Sequence, residues 1–438
     1  MKALPILQER ATGIDVGSER MHVSIAGQPA KVFGTMTCEL EGLVAWLLQE
    51  RVHTVAMEAT GVYWLYLYDV LEAAGIEVLV VNGRHVRNLP GRKSDMSDCQ
   101  WLATLHAHGL LRSGFVPPAH IRSLRDYLRL RQDHIGLAAG HVQHMQKAME
   151  RMNIKLHDVI SSLTGVSGLR VVRAILAGER DPQRLLQLCD AQIRKTKAQR
   201  VRESLRGTWK AEHLFALRQA LSAWEFYQGQ IQECDREIER LLAERSGPPD
   251  ASAPGGDGGP HKPGGVNTPQ IEGLHRMLVA LCGHQDATRI PGMADGSLLQ
   301  VLGEVGTQLS KWPSAKHFTA WLGLAPAGAQ SGKRRKGQSR HRNRAGQIFS
   351  AMARSAGRTV DAAFGGFYRR LKARRGGLVA NKALARKLAA MFWQVMVYGF
   401  DYVEQGLKKY QQRVQLTEQR LLRKLARKLN CEVHPLAQ

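Results

Sequence analysis

Along the first eighty residues, apolar positions come in short alternating runs. Ile14 and Val16 flank Asp15, Gly17-Ser18 form part of a turn, and His22-Val23-Ser24-Ile25 alternates again, which predicts a β-hairpin over 12–26. A second apolar run, Thr54-Val55-Ala56-Met57, closes on Glu58-Ala59-Thr60-Gly61, and a helical pattern follows over 62–73. A third strand is expected at 77–81. Beyond a basic loop at 82–93, Ser94 fits the N-cap of a helix in which Trp101, Leu102, Leu105, Leu110 and Leu111 recur at roughly helical spacing. Strands alternating with helices predict an α/β layer.

From Pro117-Pro118 the period changes. Apolar positions from Ile121 and Leu124 through Met145, Met149, Met152, Leu156 and Val159 to Leu163 keep a heptad spacing that only Arg131 breaks. One long helix with a coiled-coil stripe is expected, interrupted at 165–178, with its methionines acting as core fillers. A second stripe (Leu214, Leu217, Leu221, Trp224, Ile231, Ile238) predicts a helix that folds back on the first or pairs with a second subunit. Residues 246–269 hold 13 Gly or Pro in 24 positions, the composition of a flexible linker that lets the following domain move widely. Helical patterns resume at 298–302, 348–356, 367–374 and 379–402, and a basic helix is expected at 408–428. The expected divisions are therefore 1–118, 119–245, 246–269, 270–405 and 406–438.

Charge narrows the choice of partner. The 438 residues carry 62 Lys+Arg against 38 Asp+Glu, a net +24, with a pI near 10.1. Such a balance suits a polyanion, for a soluble protein usually nucleic acid held through its phosphates. No apolar stretch reaches spanning length and no signal peptide is evident, which argues against a membrane partner. The six cysteines are scattered without a CxxC pair, which argues against a zinc ribbon or disulfide framework and fits a reducing cytoplasm.

Four acids carry the candidate chemistry. Asp15 interrupts an otherwise apolar strand, and burying an isolated carboxylate is expensive unless a metal, a partner or a ligand meets it. Glu58 closes the next strand, and Asp95 and Asp98 lie three apart on one helical face, where they either favour the positive end of the helix dipole or share a cation. Together the four would make an all-oxygen site suited to a pair of Mg²⁺ (or Mn²⁺) ions, the arrangement that clamps attacking and leaving oxygens in phosphoryl transfer. In the second half, Ile290-Pro291-Gly292-Met293 before an apolar helix fits either a phosphate-holding helix-hairpin-helix turn or a plain helix start. Lys333, Arg334, Arg335, Lys336, Arg340, Arg342 and Arg344, with His341 and no acid among them, make a basic loop, either solubilising or a phosphate grip. Ser331, just ahead of it, reads alone as a hydrogen-bonding turn residue.

The segments GIDVGSERMHVSIAG, MEATGVYW and GRKSDMSD resemble the DEDD transposases of bacterial insertion sequences, the insertion-sequence-one-ten family. The resemblance covers roughly residues 12–163 and 270–402. It implies a RuvC-like (RNase H-type) α/β amino-terminal domain, an α-helical coiled-coil middle and a mostly α-helical carboxy-terminal transposase domain. It makes Asp15, Glu58, Asp95 and Asp98 metal-binding and catalytic, and it turns the reading of Ser331 to the nucleophile of strand exchange. It further implies donor and target DNA, a structured guide RNA, a homodimer or homotetramer, and a cytoplasmic, nucleoid-associated protein. A Holliday-junction endonuclease would use the same acids with water as nucleophile, but offers no reason for Ser331. A non-catalytic nucleic-acid-binding protein would explain the charge alone. A sugar-kinase or actin-like ATPase shares the D-x-G hairpin of 13–17 but needs a second D-x-G loop and a glycine-rich adenosine site, and neither is found.

Overall fold

β1 (Thr12–Val16) and β2 (Arg20–Ile25) form the expected hairpin, and β3 (Lys31–Gly34) extends it to an edge. The structure is a computed structural model describing residues 5–82, 98–246, 267–326, 330–331, 334–335, 341–359 and 364–431. The chain divides into two compact units, Met1–Ala119 and His120–Gln438.

In the first unit, α1 (Thr37–Gln49), β4 (Thr54–Glu58), α2 (Trp64–Ala73), β5 (Glu77–Val81) and α3 (Asp98–Ala107) follow in order. The sheet order is β3-β2-β1-β4-β5, with β1, β2 and β3 antiparallel and β1, β4 and β5 parallel. Alternation sorts the two faces. Ile14, Val16, Val23, Val55 and Met57 point into a core with Leu40, Leu43 and Leu47 of α1 and Leu67 and Leu71 of α2. Residues 31–49 are an addition to the sequence reading, which left that strand and helix out.

The opposite face belongs to α3. A Cβ placed on Gly13 would lie 2.2 Å from the Cys99 carbonyl oxygen and 2.4 Å from the Ala103 nitrogen, so α3 rests directly on β1 where only glycine leaves room. At the other end of α3, His106 Nε2 is 2.9 Å from Thr54 Oγ1, at the start of β4. Burial lowers the His106 pKa from its ordinary 6.5, against a smaller upward pull from Glu77. The imidazole is neutral when folded and takes up a proton more readily when unfolded, so acid favours the unfolded chain. The expected outcome is a melting temperature that falls as pH drops below about 6.5 and a shallower fall in His106→Gln. Equal slopes in the two proteins between pH 7 and pH 5 would refute it.

The second unit opens with α4 (Ala119–Arg151). The expected heptad helix stops here, short of Leu163: Asn153 adopts a left-handed φ of 56° and the chain turns. Met152 and Ile154 are fully buried in that turn, so the apolar spacing continues while the helix does not. α5 (Leu156–Val159) follows, and the expected interruption at 165–178 is itself helical, α6 (Val166–Leu176), between Gly165 at its N-cap and Gly178 beyond its end. α7 (Pro182–Gln187), α8 (Ala191–Ser204) and α9 (Ala211–Ser246) complete this part. Met145, Met149 and Met152 share a core with Val171, Ile175, Leu217 and Leu221, so α9 folds back onto α4 within one chain. Arg131, the seam-breaker, makes a buried ion pair with Asp235 of α9 at 2.5 Å.

Past the Gly/Pro-rich segment come α10 (Leu274–Leu281), α11 (Asp295–Val305), α12 (Ala315–Trp321), a two-stranded ribbon β6 (Gln330–Ser331) and β7 (Arg334–Arg335), α13 (Arg344–Ala356), α14 (Phe364–Arg375), α15 (Gly377–Tyr398) and α16 (Phe400–Leu429). Phe318, Phe349 and Phe392 are fully buried with ring centroids 5.8–6.5 Å apart, and they centre this helical core. The expectation of a widely moving domain after the linker is corrected by where that domain is fastened. The Asn267 carbonyl accepts from Arg131 Nη1 at 2.9 Å and the Gln270 N–H donates to Asp235 at 3.1 Å. Arg129 of α4 grips Glu304 of α11 through two hydrogen bonds of 3.0 and 2.8 Å. Charge-assisted hydrogen bonds at both points, buried at Arg131–Asp235 and partly exposed at Arg129, hold the later helices to α4 and α9.

Candidate active site and nucleic-acid interface

The strand register brings two of the four acids side by side. β1 and β4 run parallel with Ile14 beside Met57 as the last registered pair. Asp15 and Glu58 are the next residue on each strand, at carboxy-terminal ends about 4.8 Å apart. Both share the face of Gly13 and Thr54, the face that α3 covers. Because Cys99 lies over Gly13 and His106 over Thr54, α3 runs antiparallel to both strands. Its amino terminus, beginning with Asp98, therefore lies toward the ends that carry Asp15 and Glu58.

Asp15 and Glu58 are half-buried and their carboxylates make no hydrogen bond or ion pair among the described residues, whereas Asp98 is exposed. Two half-buried carboxylates left without partners on one face are costly unless a cation meets them. That donor chemistry, all oxygen, fits a hard divalent ion. The three acids do not form one tight cluster: among the described residues, the one set with all donor atoms within 4.8 Å is Glu150, His157 and Asp158. Acids spread over two ions about 4 Å apart need not touch one another. Asp95 lies outside the described residues.

The register also adds a neighbour the sequence reading passed over. His22 pairs across the hairpin with Asp15 and shares its face. The alternating His22-Val23-Ser24-Ile25 run marked a strand, but only the pairing places His22 beside an acid.

The Glu150–His157–Asp158 set is a surface ion cluster. His157 Nε2 lies 3.0 Å from Glu150 and 3.6 Å from Asp158, and Lys155 also pairs with Glu150, holding its carboxyl below the usual range. The ammonium already supplies the charge a cation would bring. Elsewhere, burial pushes the Cys282 thiol up to about 12, with Asp286 adding to the rise, so this thiol is not a nucleophile.

In the second unit, β6 and β7 pair with Gln330 opposite Arg335 and Ser331 opposite Arg334. The expected basic loop is thus a short ribbon at its start, with the backbone of the candidate serine directly across from a basic residue. Lys333, Lys336 and Arg340 lie outside the described residues. Arg342 donates to Ser350 Oγ at 3.0 Å. Asn343 caps α13 through the Gly346 N–H and reaches back to the Trp321 carbonyl at 3.2 Å, joining the two ends of the intervening segment.

Arg344 points toward Glu304, which is 3.7 Å away. Arg125 lies 3.6 Å from the same carboxylate and also donates to the Gly303 and Glu304 carbonyls. Glu304 is nearly buried and so collects three guanidinium groups. No pattern in the sequence marked this acid, because its partners lie in two other helices.

The Ile290-Pro291-Gly292-Met293 turn reads as a packed helix start. A Cβ on Gly292 (φ 80°) would lie 2.7 Å from the Met352 carbonyl oxygen, so the turn is pressed onto α13. Ser297 Oγ accepts from the Ala294 N–H at 2.8 Å, so that donor is already used.

Two comparisons bear on identity. Residues 12–154 match a DEDD-type family model described as a transposase. Residues 285–369 match a model described as "Transposase IS116/IS110/IS902 family". No curated protein matches the chain. The first match spans the strand acids and all of α4, the second spans Glu304, the ribbon with Ser331 and Arg344, and together they cover just over half of the sequence. On both, the chain belongs to the IS110 family of transposases.

Proposed function

We propose that this transposase is a DNA recombinase in which Asp15, Glu58, Asp95 and Asp98 hold Mg²⁺ (or Mn²⁺) and Ser331 is the nucleophile. The observation that carries the reading is the pairing of Asp15 with Glu58 at adjacent strand ends, on the face toward which the amino terminus of α3 brings Asp98. A mixed sheet with a central acid-bearing first strand and helices on both faces supports the RuvC-like, RNase H-type interpretation. The bound ions would supply charge neutralisation at a phosphodiester.

The chain's own groups do the rest. The carboxylates of Asp15 and Glu58 would hold the cations from neighbouring strand ends, and α3 covers the face of the sheet that bears them. The Ser331 hydroxyl attacks phosphorus, its proton passes to solvent or a nearby base, and the 3′ or 5′ oxygen of the strand leaves. The resulting phosphoserine link keeps the bond energy for rejoining. Arg334, Arg335 and the neighbouring cations offset the phosphate charge. The same family reading includes a structured guide RNA, a homodimer or homotetramer, and a cytoplasmic, nucleoid-associated protein. The net charge of +24 supports nucleic-acid partners, and no helix among the described residues is long and apolar enough to cross a membrane.

The test is covalent trapping. Protein purified with its co-expressed RNA is given Mg²⁺ and a labelled DNA carrying the element's junction, then run on a denaturing gel. A protein–DNA adduct that disappears in Ser331→Ala and in Asp15→Asn is expected. Cleavage that persists in Ser331→Ala without an adduct, yet depends on Asp15, would replace the serine mechanism with hydrolysis by water.

A further inference from the structure

The Glu304 cluster floors a cleft of about 580 Å³ between α4, α11 and α13. Four guanidinium groups line it, those of Arg125, Arg129, Arg344 and Arg354, against the single carboxylate of Glu304. One acid cannot neutralise four cations, so the cleft keeps a surplus of three positive charges inside a concave wall. Gathering like charges in such a place is unfavourable unless an anion arrives to share them. Arg354 stands on the exposed side of α13 and makes no ion pair among the described residues. Gln300 and Gln347 add neutral amide donors and acceptors to the rim, while Ile348 and Met352 give one apolar flank.

We propose that this cleft binds a phosphodiester of a DNA strand together with its adjoining sugar. The proposal rests on the transposase reading for the class of partner and adds a contact that neither the acids nor Ser331 supplies. Three features select that ligand. Planar guanidinium groups match phosphate oxygens in pairs. The amides suit sugar and base edges. The volume admits about one nucleotide and is too small for the side of a duplex. Glu304 acts as a positioning residue, holding Arg129 with two hydrogen bonds and drawing Arg125 and Arg344 to the same wall.

The test uses the full chain and fluorescein-labelled single-stranded and duplex DNA, titrated by anisotropy from 50 to 200 mM salt. Arg354→Ala is expected to weaken binding about three- to tenfold and to lower the slope of log K against log salt by about one. Arg354→Lys, which keeps the charge, should retain that slope. Gln300→Glu adds an acid inside the cleft only and is expected to weaken binding at least as much, with an unchanged melting temperature as the folding control. Wild-type binding together with unchanged affinity and slope in Arg354→Ala and Gln300→Glu would overturn the site while leaving the transposase reading intact. Failure of the unaltered chain, purified with its co-expressed RNA, to bind either DNA would overturn the site and the proposed DNA recombination together.

Discussion

A chain carrying Gly13→Ala is expected to lose strand cleavage and to unfold at clearly lower urea than the unaltered protein. The added methyl would meet the Cys99 oxygen at 2.2 Å, the Ala103 nitrogen at 2.4 Å and Leu102 Cβ at 2.8 Å. Two of these are backbone atoms of α3, which cannot swing aside as a long side chain can. The helix must lift from the sheet, and overpacking of this kind costs about 1–3 kcal/mol, occasionally more. The functional loss is expected to be larger than the stability loss. Asp98 rides on the lifted helix while Asp15 and Glu58 stay with the strands, and a misplacement of about 1 Å at a reacting centre can cost about a hundredfold. Gly42→Ala is the matched control: it lies in α1, a Cβ there meets nothing within 4 Å, and exchange within a helix should stabilise by about 0.5–1 kcal/mol. Urea melts of the two variants and of the unaltered chain decide the matter. A Gly13→Ala protein that melts with the unaltered one would show that α3 does not rest on β1.

The same contact explains which parts of the fold could be read from residues. Asp15 and Glu58 stood out because each breaks or ends a run of apolar strand positions, a local signal that survives without knowing any partner. Their adjacency did not stand out, since it depends on β1 pairing with β4 across about forty residues that contain three further elements, β2, β3 and α1. β3 escaped because Lys31 and Val32 are exposed at the sheet edge and give no alternation, and α1 escaped although Leu40, Leu43, Val44 and Leu47 keep helical spacing. The end of α4 was illegible for the opposite reason. Met152, Leu156 and Val159 go on at heptad intervals while the chain turns at Asn153, because the core they fill wraps around the turn. Periodicity records which residues are buried, not whether one helix buries them. Glu304 and Arg131 show a third limit. Arg131 is visible as an anomaly in its apolar seam and Glu304 is not, but for both the compensating groups come from other helices, Asp235 for Arg131 and Arg125, Arg129 and Arg344 for Glu304.

Arg131 also yields the second large effect. Asp235→Ala is expected to destabilise the protein by about 3–5 kcal/mol, because it leaves a buried guanidinium without its counter-charge. The side chains of Arg131 and Asp235 are 5% and 4% exposed, so water cannot take over the lost contact. Asp235 accepts from Arg131 at 2.5 and 3.3 Å and from the Gln270 N–H at 3.1 Å, while Arg131 also reaches the Asn267 carbonyl. Removing the carboxylate therefore frees the start of the segment leading to α10 as well as the α4–α9 seam. The pair itself need not be a net source of stability, since desolvating two charges offsets much of their attraction. A double variant, Arg131→Met with Asp235→Leu, should accordingly recover most of the loss by filling the seam with apolar volume. It should still leave residues 267–270 unpinned, which limited proteolysis would detect as new cutting ahead of α10 while urea melts show near-normal stability. Equal melts for Asp235→Ala and the unaltered chain would mean that the pair is reached by solvent. A double variant as unstable as the single one would mean that the seam depends on the charges themselves.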